Sequence, residues 1–164
     1  MVLLSLISFL VFSLGFSQEV NVYAIVKGLV KKVYVKEGQR VKKDQLLVEI
    51  NPDLYLAEKE RLTAQLEAQR LKLEKTERDF KRYEELYNRG LLSRSEYEDW
   101  KNRYEREKAT YLSLEAELKG VEKLIEYCQI RAPTSGVVKK VFVREQSFIN
   151  ETLSPHLLLI LSED

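Results

Sequence analysis

The chain has 164 residues, 32% of them charged, and its 27 basic residues nearly balance 26 acidic ones for a formal net charge of +1. This balance lacks the basic excess of a nucleic-acid-binding surface, so no nucleic-acid partner is expected. Six glycines and three prolines are few for an all-β protein and favour long helices.

The first predicted element is an uncharged apolar run from Val2 to Phe16. Its length of about fifteen residues is short of the roughly 20 that a membrane-spanning helix needs, and suits the apolar core of a secretory signal. Small residues around Gly15 and Ser17 predict cleavage after residue 17. We therefore expect residues 1–17 to be a signal peptide and the mature chain to be periplasmic. Because a basic N-terminal region is missing, an uncleaved inner-membrane anchor is the alternative.

A short strand-like sequence then occurs twice in the chain. Residues 28–38 read GLVKKVYVKEG and residues 136–146 read GVVKKVFVREQ, with seven of the eleven positions identical. Both copies begin with glycine and alternate β-branched with basic residues, a pattern typical of half-buried strands. Neither copy can bury its apolar face alone, so we expect the two halves, residues 18–51 and 130–164, to close one small core.

Residues 52–129, between the halves, are predicted to form a helical hairpin. Strong helix formers dominate, and no proline occurs between Pro52 and Pro133. Large apolar residues recur at alternating steps of three and four, which predicts a coiled-coil seam interrupted by three polar residues. The aromatic members are interpreted as hairpin core rather than as a platform for stacking bases or sugars. The predicted seam consists of Leu62, Leu66, Gln69, Leu73, Thr76, Phe80, Tyr83 and Tyr87 on the first arm, and Tyr97, Trp100, Tyr104, Glu107, Tyr111, Leu114, Leu118, Val121 and Ile125 on the second.

One break, the tip at residues 88–93, divides the hairpin. Gly90 stands where a helix C-terminus favours a left-handed residue. Ser93 and Glu96 have the spacing of a capping box, in which each satisfies a backbone N–H group of the other. The first helix is therefore predicted to end near Arg89 and the second to start at Ser93. The short turn makes the two arms antiparallel neighbours.

The two half-motifs resemble those of a biotinyl/lipoyl-type β-sandwich, with a helical hairpin where a carrier domain has its modified lysine. The expected fold class is α+β: a split biotinyl/lipoyl-like β-sandwich with a long antiparallel coiled-coil α-hairpin inserted between its halves. In this arrangement the chain resembles the membrane fusion proteins of the haemolysin D family, periplasmic adaptor subunits of tripartite efflux pumps and type I secretion systems. The resemblance rests on Gly28–Ile50, the hairpin, Ile130–Val138, and the spacing of Arg82, Leu86 and Ser93 at the tip.

This resemblance implies a function exerted through contact, with no cofactor. Arg82 and Ser93 would hydrogen-bond to the turns of an outer-membrane channel, Leu86 would fill the groove between them, and Arg89, Gly90 and Leu91 would complete the exposed turn. Two purely structural interpretations remain open: Ser93 is only a helix cap, and Arg82 is an ordinary surface charge. The family also implies a homo-oligomeric ring and an inner-membrane transporter, reached directly or through a companion chain.

Family members usually carry a β-barrel and a membrane-proximal domain after the second half-motif, so a sequence ending at Asp164 resembles a minimal form. Enzymatic activity is not expected, because His156 is the only histidine and no nucleophile, metal or phosphate motif accompanies it. Cys128, the only cysteine, is predicted to be a small buried hydrophobe. The alternative function is that of a periplasmic coiled-coil structural or chaperone-like protein whose hairpin binds clients.

Overall fold

The computed structural model describes residues 18–150 and 155–163, so the predicted signal peptide, residues 1–17, lies outside the described residues. Two long helices interrupt a series of short strands. In chain order the elements are β1 (Glu19–Ala24), β2 (Gly28–Val33), β3 (Arg40–Val41), β4 (Leu46–Ile50), α1 (Asp53–Asn88), α2 (Arg94–Tyr127), β5 (Gln129–Arg131), β6 (Gly136–Val141), β7 (Phe148–Ile149) and β8 (His156–Glu163).

The strands form two antiparallel sheets that share both halves of the chain. Their strand orders are β1-β8-β6-β3 and β5-β4-β2-β7. The two inner strands of each sheet come from one half, and the two edge strands come from the other. Neither sheet is therefore complete without both halves. The predicted fold class, a split lipoyl-like sandwich carrying an α-hairpin, is confirmed.

Equivalent backbone hydrogen bonds hold the two copies of the repeat against each other. The Gly38 N–H group donates to the Val138 carbonyl at 2.7 Å, and the equivalent Gln146 N–H group donates to the Val30 carbonyl at 2.9 Å. Gly38 has φ 82° and Gln146 has φ 67°. A glutamine thus adopts the left-handed conformation that glycine supplies in the first copy, at a cost of roughly 1 kcal/mol. Each copy is positioned by a turn of the other copy.

Each copy also begins with a glycine that neighbouring atoms crowd. A Cβ atom added at Gly136 would lie 2.1 Å from the carbonyl oxygen of Ser162, and one added at Gly28 would lie 2.9 Å from Cγ2 of Ile50. Gly136 pairs with Val41 on one side and Glu163 on the other. Only a residue without a side chain lets β6 and β8 meet at this distance.

One apolar core fills the space between the sheets. Cys128 is 1% exposed and belongs to this core, which confirms its prediction as a small buried hydrophobe. Burial raises the pKa of its thiol to about 11. The remaining buried members with no more than 2% exposure are Ala24, Val26, Val30, Val41, Leu47, Val48, Ile50, Ala132, Val138, Ile149, Leu158, Leu159 and Leu161. Their burial fixes the base of the hairpin, since β4 leads into α1 and α2 leads into β5.

The helices pack as the seam predicts, with two chemically distinct halves. Near the sandwich the contacts are mainly aliphatic, and Leu62 is 1% exposed. Towards the tip they are aromatic, with Phe80 and Tyr104 stacked at a centroid distance of 5.4 Å. None of the helices within the described part of the chain has the length and apolarity needed to cross a membrane.

Two of the three polar interruptions of the seam, Gln69 and Glu107, bond to each other, and the third, Thr76, bonds within its own helix. Gln69 donates from Nε2 to Oε2 of Glu107 at 2.7 Å, and Lys72 Nζ lies 2.9 Å from Oε1 of the same carboxylate. Thr76 is 8% exposed and donates to the carbonyl of Lys72 at 2.9 Å. The bonds from Gln69 and Lys72 lower the pKa of Glu107. This polar layer separates the aliphatic half of the seam from the aromatic half.

Candidate docking site at the hairpin tip

The turn at the tip is closed by a specific set of backbone bonds at the end of α1. The Gly90 N–H group donates to the Tyr87 carbonyl and the Leu91 N–H group to the Leu86 carbonyl, both at 2.9 Å. Gly90 has φ 72°. These are the two bonds and the left-handed residue of a Schellman motif, which ends a helix by satisfying its last carbonyl groups. The turn therefore has a defined geometry.

The start of α2 is fixed by the predicted capping box. Ser93 Oγ accepts from the Glu96 N–H group at 3.3 Å, and Glu96 Oε2 accepts from the Ser93 N–H group at 3.2 Å. The Ser93 hydroxyl also donates to Glu96 Oε2 at 2.6 Å. Hydrogen bonds from the Ser93 side chain and backbone lower the pKa of the Glu96 carboxyl. Its charged form is thus the one that caps the helix.

Aromatic stacks immediately behind the turn hold the two helices together. Tyr87 stacks on Tyr97 at 4.4 Å, and Tyr83 stacks on Trp100 at 4.2 Å. The rings face each other across the seam, as expected for hairpin core, so they do not form an open stacking platform. Each stacked pair adds about 0.5–1.5 kcal/mol beyond its buried area. Packed aromatic side chains thus support the turn at the tip.

The six predicted site residues all lie in the last two turns of α1, in the turn, or at the cap of α2. Arg82 is 71% exposed, with Nη1 at 3.7 Å from Asp79 Oδ1. Leu86 lies four residues further along, on the same face of α1, and is half-buried. Leu91 is 63% exposed. The other three, Arg89, Gly90 and Ser93, are also exposed.

Glu96 is predicted from the sequence as part of the helix cap but not as a site residue. Its carboxylate contacts the Ser93 hydroxyl directly, so the two side chains lie side by side at the start of α2. The signal was present in the Ser93-x-x-Glu96 spacing. Within residues 18–150 and 155–163, no group of three or more His, Cys, Asp or Glu side chains is placed to hold a metal ion. The chemistry that the tip offers is hydrogen bonding, charge and a small apolar contact.

The split sandwich and capped hairpin coincide with a known sequence family. Residues 18–161 match the family model described as RND MFP, barrel-sandwich hybrid domain. The chain belongs to this family of membrane fusion proteins. The match extends across both halves of the sandwich and the whole hairpin, so the family includes the fold and the tip together.

Individual relatives agree with the family match. The efflux pump periplasmic linker BepD of Brucella suis biovar 1 (strain 1330) is 29% identical over 89% of this chain and 37% of its own length. The multidrug resistance protein MdtA of Cronobacter turicensis is 30% identical over 81% of this chain and 32% of its own length. The membrane fusion protein described here therefore spans about a third of the length of these curated relatives.

A solved structure with the same architecture is a MacA-MexA chimeric protein that contains the Pseudomonas aeruginosa MexA α-hairpin domain. It is 29% identical to this chain and superposes with a TM-score of 0.62, over 89% of this chain and 48% of the chimera. This structural likeness includes a hairpin inserted in a sandwich, the arrangement that carries the tip.

Proposed function

We propose that this membrane fusion protein is a periplasmic adaptor of an efflux or secretion pump, and that its hairpin tip docks an outer-membrane channel. The observation that carries the proposal is the capped and aromatically supported tip, on which Arg82, Leu86 and Leu91 are accessible. A rigid tip loses little conformational entropy on binding, which favours a defined partner over many loosely bound clients.

The roles of the tip residues follow from their chemistry. Arg82 offers guanidinium donors, and its contact with Asp79 at 3.7 Å is too long for a strong ion pair. Leu86, in the last turn of α1, and Leu91, in the turn itself, offer apolar surface. Ser93 is an exposed residue whose side chain makes the capping bonds of α2. In this proposal the site acts by contact, without a catalytic step or cofactor.

The family supports further proposals about assembly and location. We propose an inner-membrane transporter as the second partner, contacted directly or through a companion chain, and a homo-oligomeric ring as the working form. We also propose that the chain is exported to the periplasm by its apolar N-terminus. Light scattering of the purified chain, alone and with a captured partner, tests the ring, because ring formation raises the measured mass to an integral multiple of the protomer.

The docking proposal is tested by capture from detergent-solubilised envelope of the source organism. The bait is the tagged chain, compared with a variant that carries Arg82→Asp and Leu86→Ser and leaves the Ser93 cap intact. Arg78→Asp is the matched control, because Arg78 is exposed and lies one turn further from the tip on the same helix. We expect the wild type and the control to capture an outer-membrane channel, identified by mass spectrometry, and the double variant to lose it.

The same experiment distinguishes the alternative function. If wild type and double variant capture the same diverse set of soluble proteins and no channel, the hairpin binds clients and the docking proposal is wrong. Circular dichroism of every bait checks that helicity and thermal unfolding are unchanged, so that a loss of capture reports the surface of the tip.

A further inference from the structure

The contact between Ser93 and Glu96 fixes the direction of a hydrogen bond at the tip. An ionised carboxylate has no proton to give, so the bond of 2.6 Å between Ser93 Oγ and Glu96 Oε2 must be donated by serine. The hydroxyl proton of Ser93 is therefore already used in a hydrogen bond within the chain. Towards a partner, Ser93 has only acceptor capacity left.

Glu96 itself has acceptor capacity to spare. Its Oε2 atom receives both the backbone and the hydroxyl donor of Ser93, whereas no group among the described residues donates to Oε1. The nearest cation in the first turn of α2, Arg94, is engaged with Glu98 at 2.8 Å. The exposed end of α2 thus presents free acceptors, and no salt bridge among the described residues neutralises the charge of Glu96.

The local charge at this end of the helix depends on Glu96 as well as on the backbone. A helix N-terminus carries a positive charge equivalent to roughly +0.5 and ordinarily favours anions. The full negative charge of Glu96, three residues after the cap, outweighs that partial charge. The start of α2 is therefore net negative locally, and the exposed guanidinium of Arg82 lies on the α1 side of the tip.

We propose that Glu96 is a positioning and specificity-determining residue of the docking site, because it turns the Ser93 hydroxyl into an acceptor. The site on α2 then selects a cationic hydrogen-bond donor on the channel, a lysine or arginine side chain. This inference rests on the proposed function, since it describes the partner chemistry of the same tip.

The test uses the channel identified by capture, purified in detergent, and compares its binding to four forms of the whole chain. Glu96→Gln keeps the capping box, because glutamine accepts the same two bonds from Ser93, but removes the charge. Ser93→Ala removes the acceptor. Glu85→Gln is the matched control, since Glu85 is exposed on α1 close to the turn and outside the capping box.

We expect Glu96→Gln to weaken channel binding about tenfold at low salt, the scale of one lost charge-assisted hydrogen bond. The difference between wild type and Glu96→Gln is expected to shrink as salt rises. Glu85→Gln is expected to bind like the wild type, and Ser93→Ala to bind more weakly. If Glu96 acts only as a structural cap, Glu96→Gln is expected to bind the channel like the wild type, because the cap persists.

Outcomes that refute the inference can be told apart from failure of the proposed function. If the wild type binds the channel and Glu96→Gln binds equally well, or if Glu85→Gln is weakened as much, only the role of Glu96 is overturned. If the wild type captures no channel, the docking proposal and this inference fall together. Unfolding curves of all four forms confirm that binding differences do not come from loss of the helix.

A second measurement needs no partner. In the free chain, the Ser93 amide resonance is expected to titrate with the Glu96 carboxyl, with a midpoint below the ordinary glutamate value of about 4.3. The titration is expected to vanish in Glu96→Gln. A Ser93 amide that does not respond to acid in the wild type would show that the contact is not kept in solution, and would overturn the inference.

Discussion

The crowded glycine at the start of β6 offers a quantitative check of the sandwich. We predict that Gly136→Ala destabilises the protein, whereas Gly120→Ala in α2 stabilises it. An added Cβ atom at Gly120 meets no atom within 4 Å, and at Gly136 it lies 2.1 Å from the Ser162 carbonyl oxygen. The same chemical change is thus expected to have opposite signs at the two positions.

The magnitude follows from the geometry. Ordinary van der Waals contact begins near 3.4 Å, so alanine at position 136 requires β6 and the end of β8 to separate by about 1.3 Å. Overpacking costs about 1–3 kcal/mol, and each strand hydrogen bond lost with it costs about 1 kcal/mol more. We expect the free energy of unfolding to fall by about 3 kcal/mol. At Gly120, the better helix propensity of alanine is expected to add about 1 kcal/mol.

Two probes separate the sandwich from the hairpin in a urea titration. Labelling of the Cys128 thiol reports opening of the core, because the side chain is 1% exposed in the folded chain. Circular dichroism reports the helices. A loss of about 3 kcal/mol is expected to lower the urea midpoint of labelling by about 1 M or more. If Gly136→Ala has the labelling midpoint of the wild type, β6 and β8 do not approach as described here.

Three further predictions concern the hairpin and the core thiol. Tyr83→Ala removes the ring stacked 4.2 Å from Trp100, so we expect a red-shifted tryptophan emission and a loss of about 2 kcal/mol in unfolding free energy. Because the pKa of Glu107 is lowered in the folded chain, its stabilising contribution is complete above the unfolded value of about 4.3 and is lost as pH falls through the folded value. Urea titrations between about pH 6 and pH 3 should therefore show a larger loss of unfolding free energy for the wild type than for Glu107→Gln, which has no carboxylate charge to lose beside Lys72. The pKa of about 11 for Cys128 predicts that, at about pH 8, the native thiol is labelled about 100-fold or more slowly than in the unfolded chain.

Each of these predictions has its own control. Leu112→Ala removes a side chain that is 51% exposed and should change stability and emission little. Glu60→Gln, at an exposed position of α1, should leave the acid dependence of the wild type intact. Equal acid sensitivity of Glu107→Gln and wild type would contradict the role of the polar layer, and fast labelling of Cys128 without urea would contradict its burial.

Local patterns in the sequence were sufficient for the parts of the fold that depend on neighbouring residues. The Ser93–Glu96 spacing predicted the capping box, Gly90 predicted the left-handed helix end, and the seam predicted which faces meet. These features depend on contacts within a few residues or on a regular period, and both can be read directly from a sequence.

Features that depend on distant or competing partners could not be read in the same way. The repeat predicted two cooperating halves, but not that β3 pairs with β6 and β7 with β2. Glu74 has an arginine four residues away in each direction, Arg70 and Arg78, and the spacing alone does not show that it pairs with Arg70. Docking by Arg82, Leu86 and Ser93 remains a prediction, because it depends on a partner outside the chain.

The exchange of strands between the halves has a consequence for how the chain folds. Neither sheet can be completed until residues near Ile50 and Cys128 meet, and closing an open loop of that length costs roughly 4 kcal/mol before any constant term. The hairpin can form outward from its own turn through contacts between residues that are near in sequence. This brings the residues near Ile50 and Cys128 together before the sheets are completed. We therefore expect Trp100 fluorescence to reach its native value during refolding before Cys128 becomes protected from labelling. The hairpin that separates the two halves in sequence would then also bring them together during folding.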